Sequence, residues 1–259
     1  MKKIIALALG FCLWAAPAFA GIAIISGTAT NGAQTAITFN AGTALALQPT
    51  SSIPSGSLVL MFMSNNTGGS ATTGWNCADT KSNTYHNVGG PSAVTAAGVE
   101  TNWSFLTSGL TTSDTVTCTQ ISGPSGIAGQ MAAFSGVASQ DSVATPSGFS
   151  TTTSSTSITV GPSGTLNSPC PGTGCALLTC NTLWRNTGTI GVDANFTPFT
   201  SGASQAAGIG YWIVSATTAR SCTNTNTTSD RNAGDLIVFK ASASATTTPA
   251  GLTTLGAGP

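Results

Sequence analysis

Charge is what this sequence has least of: charged residues make up 5% of a 259-residue chain. Seven Lys and Arg against seven Asp and Glu leave no basic surplus with which to neutralise phosphates. That argues against nucleic-acid binding and against polybasic attachment to a membrane surface. Histidine is nearly missing too, with His86 the single imidazole, and Glu100 is the single glutamate. Helical periodicity is scarce after residue 20, and no second long apolar run follows the first. What fills the chain instead is Thr, Ser, Asn and Gly around a hydrophobic fraction of 41%. Disordered chains combine low hydrophobicity with high net charge, so this composition points to a folded β-protein with a weakly charged surface.

Residues 1–20 have the three parts of a cleavable export signal. Lys2 and Lys3 start it, an apolar run spans Ile4 to about Trp14, and Ala18-Phe19-Ala20 forms an A-x-A-like cleavage site before Gly21. The run is too short for a transmembrane span, and the brief Lys-Lys start is of the bacterial type. Cleavage removes Cys12 and two lysines, and the remaining formal charge is −2. Secretion to the medium or cell surface is expected, with the periplasm as the alternative.

Six cysteines remain: Cys77, Cys118, Cys170, Cys175, Cys180 and Cys222. An even number in an exported chain reads as three disulfides, for which fifteen connectivities exist. The preferred pairing is Cys77–Cys118, Cys170–Cys175 and Cys180–Cys222. A metal cluster at Cys170, Cys175 and Cys180 would lack the C-x2-C spacing of zinc sites, so no metal or other cofactor is expected.

Short β-rich runs recur between Gly, Pro, Ser and Asn clusters, the pattern of an all-β sandwich or barrel. Expected strands are 22–26, 35–40, 57–63, 84–88, 101–106, 115–120, 129–134, 157–160, 176–183, 208–215, 221–225 and 235–241. This is too many for one sheet, so the expected fold is a two-sheet antiparallel β-sandwich with disulfides. One domain spans 21–241, without an internal repeat. Residues 147–156 are expected as a long loop, and 242–259 as a flexible Ala/Thr/Gly/Pro-rich tail.

Several pieces resemble, in order, a recurrent β-sandwich module of secreted bacterial and phage proteins. They are Pro54-Ser55-Gly56-Ser57, the hairpin Asp79-Thr80-Lys81-Ser82-Asn83-Thr84-Tyr85, and Trp103-Ser104-Phe105. Asp114-Thr115-Val116-Thr117, Phe134-Ser135-Gly136-Val137 and Gly234-Asp235-Leu236-Ile237-Val238-Phe239 follow. The resemblance implies a jelly-roll-like or concanavalin-like sandwich on an extracellular surface. It brings no catalytic residues, and the cysteines lie outside it.

Catalytic candidates are sparse. A triad would need His86, Asp79 and a serine, but no G-x-S-x-G elbow occurs, and His86 reads as a surface hairpin residue. Glu100 reads as an edge-strand charge, and a hydrolase would need an acid pair that the sequence does not single out. Asp230 to Asp235 reads as a polar turn, with calcium binding as the rival reading. Trp103 and Trp212 are expected in the core, whereas Trp75 is expected to be exposed in a Gly-Trp-Asn turn. Trp75, Asn76, Asp79 and Tyr85 are therefore the candidate ligand-binding residues. Asn65, Asn102, Asn195 and Asn226 fit the N-x-S/T pattern by composition alone.

The expected function is a non-enzymatic extracellular structural or adhesive protein, a self-assembling filament or surface subunit. Ile22, Ile24 and Ile25 are its candidate assembly strand, donated to a neighbour after cleavage. The alternatives are a carbohydrate-binding module with a glycan partner and a secreted hydrolase.

Overall fold

Apolar runs become strands covered on both faces, and alternating runs become strands covered on one. Leu58-Val59-Leu60-Met61-Phe62-Met63 is buried at every position, whereas Ala44-Leu45-Ala46-Leu47 alternates exposed and buried. The computed structural model describes residues 21–25, 43–65, 74–87, 92–94, 97–121, 127–142, 150–166, 176–185, 188–199, 207–215 and 217–242. The export signal, Thr35–Asn40, Cys170, Cys175 and the tail beyond Ser242 lie outside the described residues.

Nine strands make a first unit: β1 (Ala23–Ile24), β2 (Ala44–Leu47), β3 (Leu58–Asn65), β4 (Trp75–Asp79), β5 (His86–Asn87), β6 (Ser92–Val94), β7 (Ala97–Phe105), β8 (Val116–Gln120) and β9 (Ile127–Ser135). A second unit follows with β10 (Val137–Gln140), β11 (Ser150–Val160), β12 (Ala176–Trp184), β13 (Ile190–Gly191), β14 (Thr197–Pro198), β15 (Ala207–Val214) and β16 (Cys222–Ala241). All pairings given between strands are antiparallel. The chain is an all-β sandwich with two disulfides among the described residues, Cys77–Cys118 and Cys180–Cys222, both as the preferred pairing has them.

The layering goes deeper than two sheets. β1, β9, β3, β7 and β5 form one sheet with β6 attached, and β2, β8 and β4 form a smaller sheet stacked on its outer face. Leu45, Met61, Met63, Trp75, Val116 and Met131 fill the space between these two sheets. In the second unit, β12 lies between β15 and the second part of β16. The first part of β16 pairs with the end of β11 and with β13, while the start of β11 continues along residues 230–234. The strand doubles over, because Cys222 is bonded to Cys180 of β12, and Val160, paired with Cys222, lies against Gly234. Ile158, Val160, Leu178, Cys180, Leu236 and Val238 fill the resulting second outer core. The inner sheets then pack face to face through Leu58, Leu60, Phe62 and Phe134 from one unit and Leu177, Ile237 and Phe239 from the other.

The two units share one topology, an internal repeat that the sequence reading did not find. β3 sits between β7 and β9 as β12 sits between β15 and the second part of β16. β8 pairs with β2 and β4 as the first part of β16 pairs with β11 and β13. β5 edges β7 as β14 edges β15, and β1 edges β9 as β10 edges β16. Register aligns Ala128-Gly129-Gln130-Met131-Ala132-Ala133-Phe134 with Ala233-Gly234-Asp235-Leu236-Ile237-Val238-Phe239, since Met63 faces Gly129 and Thr182 faces Gly234. Both glycines serve one purpose: a Cβ on Gly129 would come 2.8 Å from Met63 Sδ, and one on Gly234 would come 2.6 Å from Val160 Cγ2. Gly136, at φ 73°, turns the chain out of the first unit into the second, a left-handed conformation that glycine takes without cost.

Several expectations are corrected. Of the expected loop 147–156, residues 150–156 are strand, continuing the expected strand 157–160, because Thr and Ser suit a pleated edge as well as a linker; 147–149 lie outside the described residues. Asp230 to Asp235 is no turn and no loop for calcium. It runs inside β16, with Asp230 paired to Ser155 and Asp235 paired to Asn181, and Asp235 is fully buried. Gly21–Ile25 pairs within its own chain: Ala23 faces Ser135, Ile25 N–H donates to Ala133, and Ile22 is buried in the central core. Ile24 remains partly exposed at this edge.

Candidate functional site

Residues 79–85 are not the expected hairpin: β4 pairs with β8 and β5 with β7, so the segment is a loop crossing from one sheet to the other, and it is held by its own side chains. The Asp79 carboxylate accepts hydrogen bonds from Lys81 N (2.9 Å), Asn83 N (3.0 Å), Asn83 Nδ2 (2.8 Å) and the Tyr85 hydroxyl (3.1 Å). Asn83 Oδ1 accepts in turn from Thr107 N, Thr107 Oγ1 and Ser108 N. Burial, with the Asp79 charge and hydrogen bond beside it, pushes the Tyr85 phenol up and keeps it neutral. Next to this loop, Asp114 accepts from Thr80 Oγ1, Thr111 N and Thr111 Oγ1 and pairs with Lys81 at 3.5 Å. Those bonds, Thr80's first, hold its carboxyl well below the usual range.

Beside this crossing loop the two sheets of the first unit part at their β4 and β5 edges. The gap is a cleft of about 360 Å³ lined by Trp75, Asn76, Cys77, Tyr85, His86, Asn87 and Asn102. Three of the four expected ligand residues therefore meet in one place. Asp79 does not line the cleft; it anchors Tyr85 from behind. Trp75 departs from its expected role. It is fully buried in β4, where a strand rather than a turn directs the indole into the core of the first unit. Trp103 and Trp212 are only partly buried, whereas Trp184 is fully buried.

Glu100 also departs from expectation. It stands in β7 with β3 on one side, has no exposed surface, and accepts from Trp75 N at 2.7 Å through Oε2. Asn102 Nδ2 reaches the same oxygen at 3.5 Å. Burial pushes the Glu100 carboxyl up, and the Trp75 and Asn102 contacts only partly oppose it. Glu100 Oε1 and Trp75 Nε1 are buried without a hydrogen-bond partner.

The second buried acid, Asp235, accepts from Thr101 Oγ1 at 3.0 Å. Desolvation raises it to about 8, with the Glu100 charge adding and the Thr101 bonds opposing. Glu100 and Thr101 are neighbours on one strand and point to opposite faces. Glu100 therefore lies between the sheets of the first unit and Asp235 between the two units, so the acids do not flank one cleft. His86 stacks on Trp103 with ring centroids 4.5 Å apart. Among the described residues, no group of three or more His, Cys, Asp or Glu gathers to hold a metal ion.

Sequence reasoning missed His86, Asn87 and Asn102 as cleft residues. Asn102 was legible in the alternation of β7, where Glu100, Asn102 and Ser104 share one face and Thr101, Trp103 and Phe105 the other. Comparison with family models, with curated proteins and with solved structures returns no match.

Proposed function

We propose that this is a non-enzymatic extracellular structural protein that self-associates through the uncharged outer faces of its two terminal layers. One observation carries the reading. On the outer face of the β2–β8–β4 sheet, Ala44, Thr119 and Asn76 form one row and Ala46, Thr117 and Ala78 the next. None of these six side chains is charged. At the opposite end of the stack the related face shows Thr159, Thr223 and Thr225, all exposed and uncharged.

Small neutral side chains on a sheet face let another surface approach closely, with little electrostatic repulsion to oppose it. Related faces at both ends of one molecule allow stacking that continues from copy to copy. The disulfides support the same reading, since each ties an outer layer: Cys118 in β8 and Cys222 in the first part of β16. Such bonds persist in oxidising compartments outside the cytosol.

Sedimentation and negative-stain electron microscopy of the chain beginning at Gly21 test this. Concentration-dependent assemblies are expected, and A46K/T117K should abolish them while leaving the thermal midpoint unchanged. A chain that stays monomeric at the highest soluble concentration, or assemblies indifferent to the two lysines, would overturn the reading.

A further inference from the structure

The two units differ most at the corner where the first holds its cleft. Register aligns Asn102 with Gly210: Asn102 faces Met61 and Asn87, and Gly210 faces Cys180 and Pro198. It aligns Glu100 with Gly208, which face Met63 and Thr182 respectively. Gln120 and Asn224 also correspond, two residues after Cys118 and Cys222.

In the second unit the corner is shut. A Cβ on Gly210 would meet Phe196 Cβ at 3.1 Å and Val192 Cγ1 at 3.2 Å, so apolar side chains occupy the space of Asn102. Asn224 fills the space of Glu100: its Nδ2 donates to Thr182 Oγ1 at 2.8 Å and to Gly208 O at 3.2 Å, and its Oδ1 accepts from Asp193 N at 2.9 Å. In the first unit the same corner is open and polar. Asn102 is 2% exposed yet lines the cleft, and the Glu100 and Trp75 side chains behind it each keep an unpartnered buried atom. Leaving polar groups unsatisfied costs stability, and the second unit shows that this fold closes the corner without them.

We infer that the cleft of the first unit is a binding site for a neutral polyhydroxylated ligand, a mono- or disaccharide unit. Its lining carries no carboxylate and no lysine or arginine. The carboxamides of Asn76, Asn87 and Asn102 both donate and accept, as sugar hydroxyls do. Tyr85 adds a ring fixed by its bond to Asp79, against which the apolar face of a sugar ring can lie. Glu100 lies behind the lining rather than in it, bonded to Trp75 N and reached by Asn102. A volume of about 360 Å³ falls at the small end of ligand pockets. The site shares Asn76 with the outer face of the β2–β8–β4 sheet, whereas Asn87 and Asn102 lie in the other sheet and Ala46 and Thr117 lie outside the lining.

The test is a titration of the chain beginning at Gly21 with cellobiose, lactose and N,N′-diacetylchitobiose at millimolar concentration. Binding is followed by tryptophan fluorescence and by side-chain amide NMR shifts. At least one sugar should give a saturable response. N76A/N87A, two exposed positions whose loss leaves the core intact, should weaken it by about tenfold or more without moving the thermal midpoint. N102G, which copies the second unit, should also weaken binding, and it should lower the thermal midpoint because it removes a buried side chain that donates to Glu100. No saturable response to any of the three sugars, an unchanged affinity in N76A/N87A, or tighter binding of glucuronic acid would each overturn the inference. N87A alone, which changes no residue of the outer face, should also weaken binding and leave the sedimentation result unchanged; an unchanged affinity in N87A would overturn the inference without touching the self-association reading.

Discussion

The two units of this chain carry the same strands in the same order, yet one leaves a polar corner open and the other seals it. Asn102 and Glu100 hold the corner open in the first; Gly210, Gly208, Phe196 and Asn224 seal it in the second. The contrast separates what the fold requires from what it tolerates. Both units need a doubly covered apolar strand, a glycine under the outer layer and a cysteine on the strand that builds that layer. Neither needs a buried carboxylate at the corner. The disulfides repeat the lesson. Cys118 and Cys222 hold equivalent positions but bond different partners: Cys77 directly across the same outer sheet, and Cys180 in the layer beneath.

That last difference gives the largest expected effect. The sequence separations are 41 and 42 residues, so loop-closure entropy assigns each bond about 4 kcal/mol. C180A/C222A should cost more than C77A/C118A, because Cys180 and Cys222 are both fully buried and their loss also opens a cavity between layers. Urea denaturation of the two double variants compares them. Equal costs would mean that the cross-layer bond adds nothing beyond chain entropy.

The paired glycines come next. G234A should destabilise by about 1–3 kcal/mol, because the new methyl meets the stiff Val160 and Thr182 side chains. G129A should cost less, since Met63 Sδ is the nearest atom and a methionine side chain can swing away. Equal losses in urea would show that the two outer cores are equally rigid.

The remaining comparison sets Asp235 against its neutral counterpart Gln130. Burial raises Asp235 from an ordinary 3.8 to about 8, so the folded state holds its proton more tightly than the unfolded state. The contribution to stability is full below pH 3.8 and is lost as pH rises toward 8, with a slope of at most about 1.4 kcal/mol per pH unit. D235N should flatten that slope between pH 5 and pH 8, as followed by thermal denaturation. An unchanged slope in D235N would assign the pH dependence to another group.

Much of the fold was legible in the residues. Leu58–Met63 and Ala176–Leu183 announce doubly covered strands by their lack of alternation, and Val116–Gln120 announces a singly covered one. The repeat stayed hidden because it rests on few identities: Ala-Gly and a final Phe survive, while Gln130 and Asp235 or Ala132 and Ile237 differ. Asp230 to Asp235 misled for a chemical reason. Asp, Asn and Gly favour turns in isolation, but pairing with Thr152 on one side and Trp184 on the other holds Asn232 in a strand. Trp75 misled in the same way, since a Gly-Trp-Asn step says turn until Gln120 is seen opposite it. Of the cleft, the sequence pointed to Trp75, Asn76 and Tyr85 as neighbours. It did not show that Asn102, on another strand, completes the lining.

What the sequence determined by itself is local: strand faces, the turn-forming residues between them and the low charge content. Alternation, side-chain reach and composition act over a few residues, so they can be read along the chain. What the tertiary structure decided is which strands meet. The doubling of one strand over its own sheet, the face-to-face packing of two like units and the cleft at only one corner depend on pairings between residues far apart in sequence, and local propensity carries no record of those.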